Sequence, residues 1–243
     1  PSGAAAGLLP HRCSLMKGLV WFRRDLRLRD NPALSAACQE CQDIVPLFVF
    51  DEPLLRSHAF GSACVGFMLG CLEELRRSLA LHGVSLAWRT GDPVESVIQA
   101  ASDFKVDAVY WNRDYEPAAL ERDRTVQQRL AQQGRTVRTF KDHVVFEAEE
   151  VRGQSGDPFQ RYSAYRDRWW AKWRAAAPPL LGIPSFPPAG KASASDSREW
   201  PSVTDLGYES VPMWIEPGEQ AVHARLQWFL GGPVHQYVTG RNL

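Results

Sequence analysis

No apolar run in the 243-residue sequence approaches the roughly 18 residues that a membrane-crossing helix needs, so an α-helical span is not expected. There is no surplus of charge either. The 28 lysines and arginines meet 28 aspartates and glutamates, which argues against a polybasic coat for nucleic acid or a membrane surface and leaves only a local basic patch. Cysteine is sparse and irregular: Cys13, Cys38, Cys41, Cys64 and Cys71 form no even framework, so a soluble protein in a reducing intracellular compartment is expected. Cys38 and Cys41 make a C-x-x-C, but no second Cys/His pair follows at finger spacing, and neither zinc nor redox chemistry is expected there. The glycine-rich cradles for ATP and NAD are missing, with no G-x-x-x-x-G-K-[ST] and no G-x-G-x-x-G after the first strand. Hydrolase signatures are missing too. No G-x-S-x-G occurs, and none of His11, His58, His82, His143, His223 and His235 stands in a nucleophile or metal-pair pattern, so no metal site is expected.

Hydrophobic residues make up 44% of the chain and charged residues 23%, enough apolar material for a packed core. From Gly18 to about Phe140 short apolar runs alternate with amphipathic stretches. Leu19-Val20-Trp21-Phe22 reads as a fully buried strand, followed by a dense mixture of arginines and aspartates, then Asn31 as N-cap and Pro32 at the first helical position. Ile44 to Phe50 reads as a second strand, about Ser62 to His82 as a helix closed by Gly83, and Val84 to Trp88 as a third strand. Asp92 and Pro93 open a helix, Ala108 to Trp111 is a fourth strand, Pro117 opens a long polar helix ending near Gly134, and Val137 to Phe140 is a fifth strand. The pattern predicts an α/β fold, a doubly wound, flavodoxin-like, five-stranded parallel sheet. Ligands of such sheets bind beyond the carboxyl ends of the strands.

After Phe140 the periodicity fades. Phe159 to Arg174 gathers Phe159, Tyr162, Tyr165, Trp169 and Trp170 with Trp173, read mainly as anchors of a helix on the domain's flank and secondarily as a stacking platform for bases. Residues 177–217 are rich in proline and serine and read as an interdomain linker. A helix then opens at Pro217-Gly218-Glu219, the first part of a truncated all-helical domain. The expected divisions are a disordered leader over 1–16, the α/β domain over 17–146, the aromatic helix and linker over 147–216, and the start of the helical domain over 217–243. Residues 1–15 are small, apolar and lightly basic, the chain opens on Pro1, and it is expected to be a fragment with Met16 as an alternative start. Asp25, Asp51 and Glu116 fall at strand ends, where a carboxylate serves either as acid or base or as an organiser of the loop.

Val20-Trp21-Phe22-Arg23-Arg24-Asp25-Leu26-Arg27, followed by Arg29-Asp30-Asn31-Pro32-Ala33-Leu34, resembles the N-terminal signature of the photolyase/cryptochrome family. Collinear matches support it: Phe48-Val49-Phe50-Asp51, Gly91-Asp92-Pro93, Trp111-Asn112-Arg113-Asp114-Tyr115-Glu116-Pro117, the Phe159 to Tyr165 stretch with Trp169-Trp170, Pro217-Gly218-Glu219, and Tyr237-Val238-Thr239-Gly240-Arg241-Asn242. The form is most like class I cyclobutane pyrimidine dimer photolyases. The resemblance implies a blue-light-driven, FAD-dependent enzyme acting on damaged DNA as a monomer, in which excited reduced flavin donates an electron to the dimer. The alternative is a cryptochrome photoreceptor signalling through protein partners, and a third reading is a nucleotide-binding α/β protein unrelated to light.

The resemblance also implies roles for residues. Tyr237 matches a tyrosine that contacts FAD, and Arg241 matches a position that approaches the DNA backbone. Folate-binding relatives carry an Asn-Glu pair where this chain has Ala118 and Ala119, and a family arginine of the second helix falls on Cys64-Val65. A folate antenna is therefore not expected; a deazaflavin, another flavin or no antenna remains. The expected antenna pocket involves Arg24, Asp25 and Asp51, and the fragment is expected to be inactive because most of the FAD domain would lie after Leu243.

Overall fold

The apolar run after Met16 forms the central strand of the protein, in a computed structural model that describes residues 16–153, 156–188 and 200–241. This strand, β1 (Lys17–Phe22), is flanked by β2 (Asp43–Asp51) and β4 (Ala108–Asn112); β3 (Ala87–Gly91) and β5 (Thr136–Phe140) are the edges. All pairs are parallel and the order is β3-β2-β1-β4-β5. The doubly wound parallel sheet is the one expected. Its order is the Rossmann-type 3-2-1-4-5 rather than the flavodoxin-type 2-1-3-4-5, so the direction in which strands are added reverses between β1 and β4.

Alternation along β1 divides the core. Val20 and Phe22 face α1 (Pro32–Glu40) and α3 (Ser62–Leu81), whereas Leu19 and Trp21 face α4 (Pro93–Asp103) and α5 (Pro117–Gln132). Each large apolar side chain so buried contributes about 1.5–3 kcal/mol. The helix starts follow local chemistry. Asn31 accepts the amide of Leu34, and Asp92 accepts those of Val94 and Glu95, each ahead of a proline at the first helical position.

Two local differences from expectation have physical reasons. The third strand begins at Ala87, not Val84: the amides of Gly83 and Val84 bond back to Ala80 and Leu79 in a Schellman motif, which holds Val84 in the helix end. Gly83, at φ 73, supplies the left-handed turn. The short α2 (Glu52–Arg56) was not foreseen, because five residues carry no periodicity; Asp51 caps it by accepting the amide of Leu54.

The segment expected as a linker holds no helix or strand among its described residues, yet it lies against the sheet. Phe186 stacks on His82 at 4.4 Å, Trp200 meets Phe50 edge-on at 5.9 Å, and the Tyr208 hydroxyl donates to the Leu55 carbonyl at 2.7 Å. Pro217 then seats on Gly70 of α3, where an added Cβ would overlap the proline ring. The expected aromatic helix is α6 (Tyr162–Ala175). It holds to the flank through Trp169, edge-on to Phe146 at 5.4 Å, and Lys172, which donates to the Glu150 carbonyl; Tyr162 and Trp170 stay exposed. The chain continues through α7 (Glu219–Gly231), a 3-10 turn (Pro233–Gln236) and α8 (Tyr237–Gly240). No helix among the described residues is long and apolar enough to cross a membrane.

Candidate functional site

The loop after β1 is built on a buried carboxylate. Asp25 is 4% exposed and accepts from the Arg23 amide at 2.9 Å, from Asn112 Nδ2 at 2.6 Å and from Asn31 Nδ2 at 3.2 Å. Asn112 Oδ1 in turn accepts the amide of Ala33, and its Nδ2 also donates to Asn31 Oδ1 at 2.9 Å. Asp25, Asn31 and Asn112 thereby tie the end of β1, the start of α1 and the end of β4 into one network.

The arginines of the same loop are neutralised by distant acids. Arg23 bonds Asp123 of α5 at 2.7 and 2.8 Å and also the Asn112 carbonyl; burial lowers its pKa against the pull of Asp123. Arg24 meets Glu116 at 2.9 Å and Asp114 at 3.7 Å, and Arg27 meets Asp142. Burial works against the charge of Arg27, but the hydrogen bond and charge of Asp142 together with the charges of Asp25 and Asp30 outweigh it and the pKa rises. Burial likewise works against ionised Asp114, and Arg24 with the amides of Tyr115 and Glu116 holds its pKa below the usual value. These partners lie on α5 and in the loops after β4 and β5. Asp51, at the end of β2, makes no ion pair with these arginines among the described residues and turns instead to the start of α2.

Above this network, at the carboxyl end of the sheet, lies a cavity of about 1130 Å³. Trp21, Phe48 and Phe50 contribute to its floor and Cys64, Val65 and Met68 to one wall. The first turns of α7 close it. Glu219 there accepts the amides of Leu28 at 2.9 Å and Arg29 at 3.2 Å, fastening the helix to the β1–α1 loop. Arg122 of α5 stands 5.0 Å over the Trp21 ring and Arg23 stands 4.9 Å from it.

Of the residues expected at an antenna pocket, Arg24 and Asp51 line this cavity, whereas Asp25 lies beneath it with its oxygens spent on the network. Ala118, Ala119, Cys64 and Val65 also line it. Burial raises the pKa of Asp51 above the usual carboxylate value, against the opposing hydrogen bond from Leu54. Tyr237 and Arg241 are elsewhere. Tyr237 is 54% exposed and meets Phe229 edge-on at 6.4 Å, and Arg241 is exposed at the end of α8. Sequence reasoning missed Arg29, Arg122 and Glu219, whose place at the cavity depends on long-range docking with no local signature. Among the described residues no group of His, Cys, Asp and Glu is arranged to hold a metal ion. At the C-x-x-C, burial pushes the Cys38 thiol up to about 12 and also raises Cys41, which disfavours the thiolate form.

Residues 18–184 match the family model of DNA photolyase. The chain is 35% identical over 225 residues to an uncharacterised 31.6 kDa protein of Synechococcus sp., covering 92% of this chain and 78% of that one. It is 31% identical over 239 residues to a deoxyribodipyrimidine photo-lyase of another Synechococcus strain, covering 92% of this chain and 47% of the relative. Among solved structures, a bacterial class III photolyase of Agrobacterium tumefaciens superposes with a TM-score of 0.77 at 25% identity, over 99% of this chain and 49% of the other. The chain thus spans about half the length of the photo-lyases it matches.

Proposed function

Since the chain belongs to the DNA photolyase family, we propose that it forms the antenna-type α/β domain, with the first turns of the helical domain, of a blue-light-driven deoxyribodipyrimidine photo-lyase. The observation that carries this reading is the alignment of 92% of the chain with a deoxyribodipyrimidine photo-lyase at 31% identity. The cavity at the carboxyl ends of the strands is the place for the antenna pigment, with Arg24 and Asp51 at its wall. The alanines at 118 and 119 offer no side-chain hydrogen bonds, which speaks against folate and for a deazaflavin or flavin.

FAD, when bound by the whole protein, supplies light-driven electron transfer to a pyrimidine dimer. In this reading Tyr237 faces that flavin and Arg241 the DNA backbone, where a guanidinium suits phosphate. Tyr237 is half exposed beside Phe229, too open to grip a flavin unaided, so residues 1–243 alone are expected to neither retain FAD nor repair DNA. Cryptochrome-1 of Arabidopsis thaliana matches at 30% identity and makes a signalling photoreceptor the second reading. The test is irradiation of the protein purified from its source with a dimer-containing oligonucleotide and reduced flavin. Light-dependent loss of dimers supports the enzyme; no loss of dimers there, with photoreduction in a parallel sample supplied with oxidised flavin, supports the photoreceptor.

A further inference from the structure

Helix α6 is 14 residues long and rich in rings, yet it buries none of its residues. Trp169 and Lys172 fasten it to the domain through Phe146 and the Glu150 carbonyl, and its outer side is left to solvent. The order along that outer side is regular. Tyr162, Arg166, Trp170 and Arg174 follow one another at four-residue spacing, which sets rings and guanidinium groups in alternation about every 6 Å along one stripe of the helix. Tyr162 is 75% exposed and Trp170 45%, and the Arg174 guanidinium stands 5.8 Å over the Trp170 ring. Charge here is one-sided. Between Asp157 and Asp196 the sequence holds one acid, Asp167, against Arg161, Arg166, Arg168, Lys172, Arg174 and Lys191. Asp167 pairs with Arg166 at 2.8 Å and Glu150 lies 3.7 Å from Lys172, whereas the guanidinium groups of Arg161, Arg168 and Arg174 make no ion pair or hydrogen bond among the described residues. No residue of α6 borders the cavity above the sheet.

We propose that this stripe of α6 binds an undamaged single strand of nucleic acid, with bases stacked on Tyr162 and Trp170 and phosphates met by Arg166 and Arg174. Such binding needs neither flavin nor a pyrimidine dimer. Sequence-tolerant capture of a strand combines flat ring faces for open bases with cations that follow the backbone, and α6 offers both at one spacing. A guanidinium suits phosphate, and Arg174 lies beside the ring on which the base would stack. A duplex hides its base faces and gains only the charge. A membrane surface fits less well: an interfacial helix keeps its cations apart from its apolar face, whereas here the arginines stand inside the aromatic row and that row has no aliphatic member.

The experiment is a fluorescence anisotropy titration of the chain, in the dark and without added flavin, with labelled oligothymidine and oligouridine of about 16 nucleotides and with a duplex of equal length. Single strands are expected to bind at least about tenfold more tightly than the duplex, and the tighter of the two identifies the strand as DNA or RNA. Between about 50 and 200 mM salt the logarithm of affinity is expected to fall with the logarithm of salt at a slope of about −1.4, as for two phosphate contacts. Trp170→Ala is expected to weaken binding about tenfold, Trp170→Phe to keep most of it, and Arg174→Ala to reduce the slope by about 0.7. Both positions are exposed, so the thermal midpoints should not move. Arg77→Ala, at an exposed cation of α3, is the control and is expected to change nothing. Duplex bound as tightly as single strands, or single-strand affinity unchanged in Trp170→Ala and Arg174→Ala, overturns the proposal. So does binding of no oligonucleotide, and vesicles of anionic phospholipid captured by the parent but not by Trp170→Ala would then identify a membrane surface instead. No arm uses light or a dimer, so failure here leaves the photo-lyase reading standing.

Discussion

Asp30 and Leu181, 151 residues apart, are joined by two hydrogen bonds: the Asp30 amide donates to the Leu181 carbonyl, and the Leu181 amide donates to Asp30 Oδ1, each at 2.9 Å. Asp30 adopts a left-handed backbone with φ 52, which aims its amide outward from the β1–α1 loop. The proline-rich segment is thereby fastened to the loop that organises the cavity, and its Trp200 and Tyr208 extend the core.

Removing the Tyr208 hydroxyl tests that fastening. Tyr208→Phe removes the hydroxyl donor to the Leu55 carbonyl, which keeps the His58 amide at 3.2 Å, and is expected to lower stability by about 1 kcal/mol in urea titration. No change in the midpoint would mean that the segment does not fold with the domain.

The seat of Pro217 gives a sharper contrast. Gly70→Ala forces a methyl into the proline ring and is expected to destabilise by about 1–3 kcal/mol, while Gly66→Ala, whose Cβ would meet Met213 Sδ at an ordinary 3.5 Å, is expected to be near neutral. Denaturant midpoints of the two variants check this.

The buried network under the cavity should be costly to cut. Asp25→Ala strands donors of Asn31, Asn112 and the Arg23 amide and is expected to cost about 2–4 kcal/mol. The comparison is Glu116→Ala, an exposed partner of Arg24, expected within about 0.5 kcal/mol of the parent.

Two carboxylates at the site should respond oppositely to pH. The pKa of Asp114 is lowered on folding, so its contribution is present above the ordinary value of 3.8 and is lost as pH falls below it; Asp114→Asn should destabilise at pH 7 and lose that effect in acid. The pKa of Asp51 is raised, so its contribution is fully present below 3.8 and lost as pH climbs through the folded value; Asp51→Asn should cost nothing at pH 7. Thermal unfolding of both variants between pH 3 and pH 7 reads the two signs, and parallel curves contradict the assignment.

Local chemistry made much of this fold legible. Asn31-Pro32, Asp92-Pro93, Gly83 and Gly134 marked helix ends because caps and left-handed turns depend on residues a few positions apart. The apolar run of Leu19 to Phe22 marked the central strand because both its faces are covered. What stayed hidden was long-range. The acids that neutralise the arginines after β1 are distant: Asp123 and Asp142 lie 100 and 115 residues away from Arg23 and Arg27, and no spacing rule selects them. Trp200 and Tyr208 returned to the core from a stretch whose composition reads as linker, since two aromatics among prolines and serines make no periodic pattern. At the cavity, Arg24 and Asp51 were legible from strand ends, whereas Arg29 and Glu219 gained their places only through the docking of α7.

The claim at the centre of this account is that the cavity over β1 and β2 is the seat of a light-absorbing pigment. Ala118→Trp tests it most directly, because residue 118 is exposed at the cavity and a large ring there fills the space without entering the core. The measurement is the visible absorbance of the protein, wild type and variant, after saturation with each pigment and removal of the excess by gel filtration. The account predicts about one pigment per wild-type chain and none on the variant at unchanged thermal stability; equal pigment on both would contradict it.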